Sequence, residues 1–311
     1  MQQSDELYRC NSPKWCTAIT QDVNVQAGQL KHWQQEYNQL SDGAFHGAMI
    51  HTDLGPFHLF QENTSQALQQ FCRVPEDAIW LGFSAQPQYV SINQQKAEGN
   101  TIMVRPGGID FELATGRNSS LFGVVIAPAS LPGQHEIPLT QFAHTLTSSE
   151  TLAFQRYIAM LFTQRRTRWR SATHQQLLYD ALISLLPSAG KGSQSTLCRN
   201  SALSAVKEYL NQVDDEAIVS VAGLANIACV SPRALHRIFC DHYGVSPVRF
   251  LQARRLNQVR RALQHNGDKR CIADIAFDHG FYHLSQFSKQ YRRLFEELPS
   301  ETQLHQHHLS M

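Results

Sequence analysis

The chain has 311 residues, with 27 Lys/Arg against 26 Asp/Glu, a formal net charge of +1 and 42% apolar residues. This is length for about two domains and apolar content for real cores. There is no apolar run of membrane-spanning length, no apolar signal segment at the N-terminus, and no Cys-x-x-Cys pair among the seven cysteines; these features argue against a membrane span, secretion, a disulfide framework and a cysteine-built zinc site, and for a cytoplasmic chain with reduced thiols.

The first ~135 residues read as β-rich. The stretches 48–61, 78–86, 88–92, 100–104, 110–115 and 120–127 carry β-branched and aromatic residues, with Gly, Pro and Asn between them. Many short strands with turn signals predict a small barrel or sandwich, of cupin-like type. Within it, "QALQQFCRV" (66–74) reads as a short helix. From Pro138 the pattern turns helical. Segment 149–166 spaces Leu152, Tyr157, Met160 and Leu161, and segment 171–186 spaces Leu178, Ala181, Leu182 and Leu185, as amphipathic helices do. Two roles are open for this pair: a homodimer face, or a cover for their own barrel. "PSAGKGSQST" (187–196) reads as a flexible linker. The expected organisation is a sensing and dimerisation domain over 1–190, a linker over 191–199, and an all-α domain over 200–311. The fold class is α+β.

The all-α domain contains a repeat. "VAGLANIACVSPRALHRIFCDHYG" (221–244) and "CIADIAFDHGFYHLSQFSKQYRRLF" (271–295) each give a short apolar helix, a turn, and a longer helix with polar and basic residues on one face. Ala225 matches Ala276, and Leu235 and Phe239 match Phe287 and Tyr291, with a spacing of 51 or 52 residues. This is a helix-turn-helix, present twice. Gly280 suits the abrupt end of a first helix, while Cys229 holds the corresponding place in the first copy, which predicts a differently shaped or strained turn there. Ser231 and Pro232 are start signals for the second helix of copy one.

From Ser231 to Phe295 there are twelve Lys/Arg and four acids, a local charge of +8. Such a surface attracts a polyanion, although a solvated helical face is the ordinary fate of a charge run. With Leu235 and Phe239 in the core, Ser231, Arg233, His236 and Arg237 face outward near a helix N-terminus. There a recognition helix meets base edges. In copy two, Leu284, Ser285, Gln286, Ser288 and Lys289 take that place. Between the copies a basic helix (246–264) carries Arg254, Arg255, Arg260 and Arg261, candidates to pair with phosphates or with nearby carboxylates. The expected partner is double-stranded DNA.

The last ~100 residues resemble the AraC/XylS transcription regulators. "DIAFDHGFYHLSQFSKQYRRLF…PS" is similar to that family's second helix-turn-helix, with Ile275, Ala276, Gly280, Phe281, Phe287, Pro299 and Ser300 at matching positions, and "RRLNQVRRAL" (254–263) to its linker helix. The departures are Cys229 and Glu296 at usual glycines, His283 at a usual small cap, and Lys289 at a frequent arginine. The resemblance implies a sequence-specific DNA-binding regulator, an activator that works with RNA polymerase, and no enzymatic activity. Patches in the first half, "WQQEYNQL" (33–40), "FHG" (45–47), "RPGGIDFELAT" (105–115) and "FGVV" (122–125), resemble those members that control ethanolamine-utilisation operons. They imply ethanolamine as effector, with adenosylcobalamin as co-effector. For an ammonium alcohol the chemistry asks for acid or aromatic faces and a hydrogen-bond partner. Trp33, Phe45, Trp80, Asp110 and Glu112 are of the right types, and Arg105 lies in the "RPGG" turn. No Asp-x-His-x-x-Gly motif offers cobalamin an axial base.

Two rival readings complete the set. His46, His51, His58 and Glu62 hold part of a cupin metal motif without its His-x-His, so a metal-dependent enzyme fused to DNA-binding helices is the lesser alternative. Cys229, Cys240 and Cys271 could make a redox-sensing regulator, but small buried cysteines are the ordinary expectation.

Overall fold

The computed structural model describes residues 13–127, 145–165, 171–189, 201–213, 219–265 and 270–309, apart from single positions 85, 87 and 98. The strands among them are β1 (Cys16–Thr20), β2 (Gln34–Gln39), β3 (Gly47–Leu54), β4 (Phe57–Thr64), β5 (Leu68–Arg73), β6 (Ile79–Ser84), β7 (Val90–Ile92), β8 (Gln95–Lys96), β9 (Thr101–Pro106), β10 (Asp110–Thr115), β11 (Ser119–Ile126) and β12 (Thr145–Thr147), with a short helix α1 (Val23–Ala27) after β1. They form a seven-stranded sheet, β1-β3-β4-β11-β6-β9-β12, and a five-stranded sheet, β2-β5-β10-β7-β8. The strand pairs are antiparallel, with Trp80 opposite Arg105 and Phe111 opposite Cys72.

Between the sheets lies a core that includes Tyr37, Phe60, Leu68, Trp80, Phe111 and Leu113. The other face of the seven-stranded sheet presents Leu59, Leu81, Val104 and Val124 to α2 (Ser149–Thr163) and α3 (Ser171–Ala189). Phe154, Ile158, Leu161, Leu178, Leu182 and Leu185 bury themselves there. Of the two roles open to these helices, the structure shows a cover for their own sheet. Leu152, placed on the apolar face by the sequence, is instead 38% exposed.

Segment 66–74 is a correction, since Leu68–Arg73 is a strand, paired with β2 on one side and β10 on the other. Leu68 and Cys72 face the inter-sheet core. Gln69 and Gln70 are both buried, so polar residues hide the two-residue period. The linker expected at 191–199 lies outside the described residues.

The helical domain comprises α4 (Ser201–Gln212), α5 (Val221–Ile227), α6 (Pro232–Tyr243), α7 (Pro247–Gln264), α8 (Ile272–Asp278), α9 (Leu284–Phe295) and α10 (Pro299–Leu309). Ser231 and Ser246 each cap the helix that follows, with Pro at its first position. One continuous core joins Leu235, Phe239, Phe287 and Tyr291 to Leu40, Ala67 and Ala114 of the β domain. No described helix is long and apolar enough to cross a membrane.

Candidate nucleic-acid interface

The two repeats are built alike at the turn. In α5–α6 the N–H of Val230 donates to the carbonyl of Ala225 at 3.0 Å, and in α8–α9 the N–H of Phe281 donates to that of Ala276 at 2.9 Å. Both turns pass through a left-handed residue, Gly280 at φ +77° and Cys229 at φ +52°. The cysteine turn is therefore the same shape, held at a backbone angle that costs an L residue about 1–2 kcal/mol. Cys229→Gly should raise the unfolding free energy by about 1 kcal/mol, net of the freedom glycine adds to the unfolded chain; a denaturant titration would check this, and an unchanged midpoint would refute it. The closing turn after α9 uses the same device, with Glu296 left-handed at φ +57°.

α6 buries Leu235, Phe239, His242 and Tyr243, and leaves Ser231, Arg233, His236 and Arg237 exposed. Ser231 accepts from the Ala234 N–H at 3.2 Å, which sets the start of the helix. Arg233 and Arg237 make no ion pair with a described residue. α9 buries Phe287, Tyr291, Leu294 and Phe295, and leaves Leu284, Ser285, Gln286 and Lys289 exposed with Ser288 half-buried. His283 stands at its cap without a side-chain bond to the first turn. The structure thus brings the expected recognition residues onto two solvent-facing helix surfaces.

Arg254 and Arg255 are placed elsewhere. Arg254 donates to the Leu210 carbonyl at 3.0 Å, and the Arg255 guanidinium lies 5.4 Å from the Phe281 ring centre. Both are half-buried in contacts within the helical domain. Arg260 and Arg261 settle the other open choice in favour of carboxylates. Arg260, 5% exposed, pairs with Asp22 at 2.8 Å and with Glu297. Arg261 reaches Glu36 at 3.0 Å and Asn38 at 2.8 Å.

These pairs belong to a contact surface between the domains that the sequence did not reveal. Asp42 is shared by Arg249 at 2.6 Å and Arg293 at 2.7 Å. Burial alone would raise the Asp42 carboxyl, but the two guanidiniums outweigh it and hold it below the usual range. Glu112 accepts from Lys207 at 2.5 Å and from the Tyr243 hydroxyl at 2.8 Å. Asn257, 1% exposed on α7, accepts from the Gln39 N–H at 3.0 Å and donates to the Gln39 carbonyl at 2.9 Å. Its side-chain amide thereby covers the free edge of β2.

The six candidate effector residues divide. Trp33 stands edge-on to Trp80, with ring centres 6.1 Å apart, and Trp80 stacks on Phe111. Arg105 is beside them, 4% exposed, its guanidinium 5.9 Å from the Phe111 ring and its pKa lowered by burial to about 10. Phe45 packs in the same inter-sheet core. Asp110 and Glu112 line a cleft of about 480 Å³ on the outer side of the five-stranded sheet. An adjoining cleft of about 310 Å³ runs between the domains past Glu36, Phe71, Glu112, Lys207 and Tyr243.

His58 is 2.6 Å from Asp53, and Glu62 is buried on Gln26 and Tyr37. Among the described residues no three His, Cys, Asp or Glu converge as a metal site requires. Cys229, Cys240 and Cys271 are exposed, which corrects the expectation that they are buried.

Residues 224–305 match the helix-turn-helix domain family. The chain is 40% identical over 85 residues to the XylDLEGF operon transcriptional activator of Pseudomonas putida, spanning 27% of this chain and 26% of that one. It is 38% identical over 81 residues to the HTH-type transcriptional activator RhaS of Pectobacterium atrosepticum, spanning 26% and 28%. The chain therefore aligns with about a quarter of the length of these relatives. They support the AraC/XylS resemblance for the helix-turn-helix domain. Among solved structures, the AraC-like transcriptional activator CuxR aligns over 85% of this chain and all of its own, at 14% identity and TM-score 0.45. The DNA-binding domain of AdpA in complex with a target DNA aligns over 34% and 91%, at 22% identity and TM-score 0.30.

Proposed function

We propose that the chain is a sequence-specific, double-stranded-DNA-binding activator of transcription whose β domain receives a small effector. The supporting observation is the pair of helix-turn-helix units, alike in their turn bonds, each presenting an exposed polar face bearing cations without an ion-pair partner among the described residues. The names of the two sequence relatives above, both transcriptional activators, point the same way. Activation implies RNA polymerase as a further partner, and a second copy of the chain remains a partner to test by sedimentation.

Arg237→Ala should weaken binding to the selected site by about 1–3 kcal/mol and relax base choice at one position, as loss of a bidentate guanine contact does. An unaltered preference in a selection from random duplexes would remove Arg237 from the base-reading set.

For the effector we propose ethanolamine, on the resemblance of the β domain. The 310 Å³ cleft brings Phe71 and Tyr243 beside Glu36 and Glu112, where an ammonium alcohol would share carboxylates that also hold Arg261 and Lys207, and it lies where the two domains meet. A ligand there acts only if it binds the active arrangement more tightly than the inactive one. Neither cleft is of a size to enclose a corrinoid. Thermal unfolding with ethanolamine, adenosylcobalamin, both or neither is the test. Saturation at 100 times the dissociation constant adds about 2.7 kcal/mol, and no shift in any arm would send the search to other small molecules.

A further inference from the structure

We infer that the two motifs read different bases, so that the DNA site is asymmetric: guanines under α6, and an adenine with a neighbouring thymine under α9. This rests on the DNA-binding reading above and goes one step beyond it.

The turns align the motifs at a spacing of 51 residues, Val230 with Phe281, but the core positions of the second helices align at 52, Phe239 with Tyr291. Motif two therefore has one more residue between its turn and its recognition helix. Tyr282 falls in this segment, and it is 65% exposed. With α6 and α9 in register, Arg233 corresponds to Ser285, Ala234 to Gln286 and Arg237 to Lys289.

The chemistry of the two faces then differs in kind. Arg233 and Arg237 are donors only. The major-groove edge of guanine offers N7 and O6, both acceptors, and a guanidinium spans them with two bonds. The first exposed residues of α9 include no arginine. Gln286 carries one amide with a donor side and an acceptor side, which matches the N6 donor and N7 acceptor of adenine and fits guanine poorly. Leu284, 38% exposed at the first position of α9, is an apolar surface of the sort that rests on a thymine methyl. Lys289 shares its place with Arg237 but is a point charge on a flexible stem, suited to a phosphate oxygen as well as to a base.

The test is selection of sites from a random duplex pool by the full-length chain, followed by the same selection with Gln286→Ala, Gln286→Arg and Arg233→Ala. The native chain should enrich two half-sites about 10 base pairs apart, one marked by guanine and the other by adenine and thymine. Gln286→Ala should lose roughly 5- to 150-fold discrimination at one A·T position and leave the guanine half unchanged. Gln286→Arg should exchange adenine for guanine at that position, a gain that an unfolded variant could not show. Arg233→Ala should flatten a position only in the guanine half. Enriched half-sites of like composition, or a Gln286→Ala profile identical to that of the native chain, overturn the inference while the DNA-binding reading stands. A pool with no enriched site overturns both.

Discussion

Arg260→Ala should lower the unfolding free energy by about 3–5 kcal/mol, the usual result of removing one member of a buried charge cluster. The guanidinium is 5% exposed, pairs with Asp22 of the β domain and Glu297 of the helical domain, and lies 4.7 Å from the Phe295 ring centre. Its loss leaves two mostly buried carboxylates facing each other without a counter-charge, and a gap beside the ring. Burial alone would raise the Asp22 carboxyl, but Arg260 outweighs it and keeps the group below its ordinary 3.8. The Asp22 contribution is therefore present above that pH and fades as pH falls through the lowered value. Denaturant titrations of Arg260→Ala, Asp22→Ala and the double variant would measure the coupling. Strictly additive losses would show that the pair contributes nothing as a pair.

The second large effect is a pH dependence centred on His242. This side chain is buried at the end of α6, with the Tyr89 hydroxyl 3.5 Å from Nδ1 and the Tyr243 ring centre 4.5 Å away. Burial, with the nearby Lys207 charge, lowers its pKa from 6.5 to about 3. The unfolded chain then takes up a proton near pH 6.5 that the folded chain refuses until about pH 3. The stabilisation is complete above that range and is lost as pH falls through it, at about 1.4 kcal/mol per pH unit. Most of this window lies above the one in which Asp22 and Asp42 titrate, so the range between pH 6 and pH 4 separates the two. His242→Gln should flatten the stability profile between pH 6 and pH 4. A native profile already flat there would contradict the assignment.

The helical domain was legible because its signals are local. The Ser-Pro pair at 231–232 announces a helix start, and a repeat of 51–52 residues fixes which faces are core. The strands 48–61 and 120–127 were legible for the same reason, through their β-branched and aromatic content. Segment 66–74 was not. Strand β5 places Leu68 and Cys72 in the inter-sheet core and Gln69 and Phe71 on the cleft against the helical domain, and buried glutamines replace the apolar residues that would have shown the alternation. The exposed faces of α6 and α9, which carry the candidate recognition residues, could be read from helical spacing alone. The roles of the linker-helix arginines could not, because Asp22 lies 238 residues from Arg260. No spacing rule reaches across that distance.

Among the described residues, Asp22, Glu36, Asp42 and Glu112 of the β domain are committed to Arg260, Arg261, Arg249, Arg293 and Lys207 of the helical domain. The β domain is thus a resident set of counter-ions for a protein whose proposed ligand is a polyanion. Cut away from it, the helical domain would carry five cations with those carboxylates gone. It would hold phosphate backbones more tightly, with a steeper response to salt, and tell one sequence from another less well. Part of the selectivity of such a regulator would then reside in acidic side chains that never touch a base.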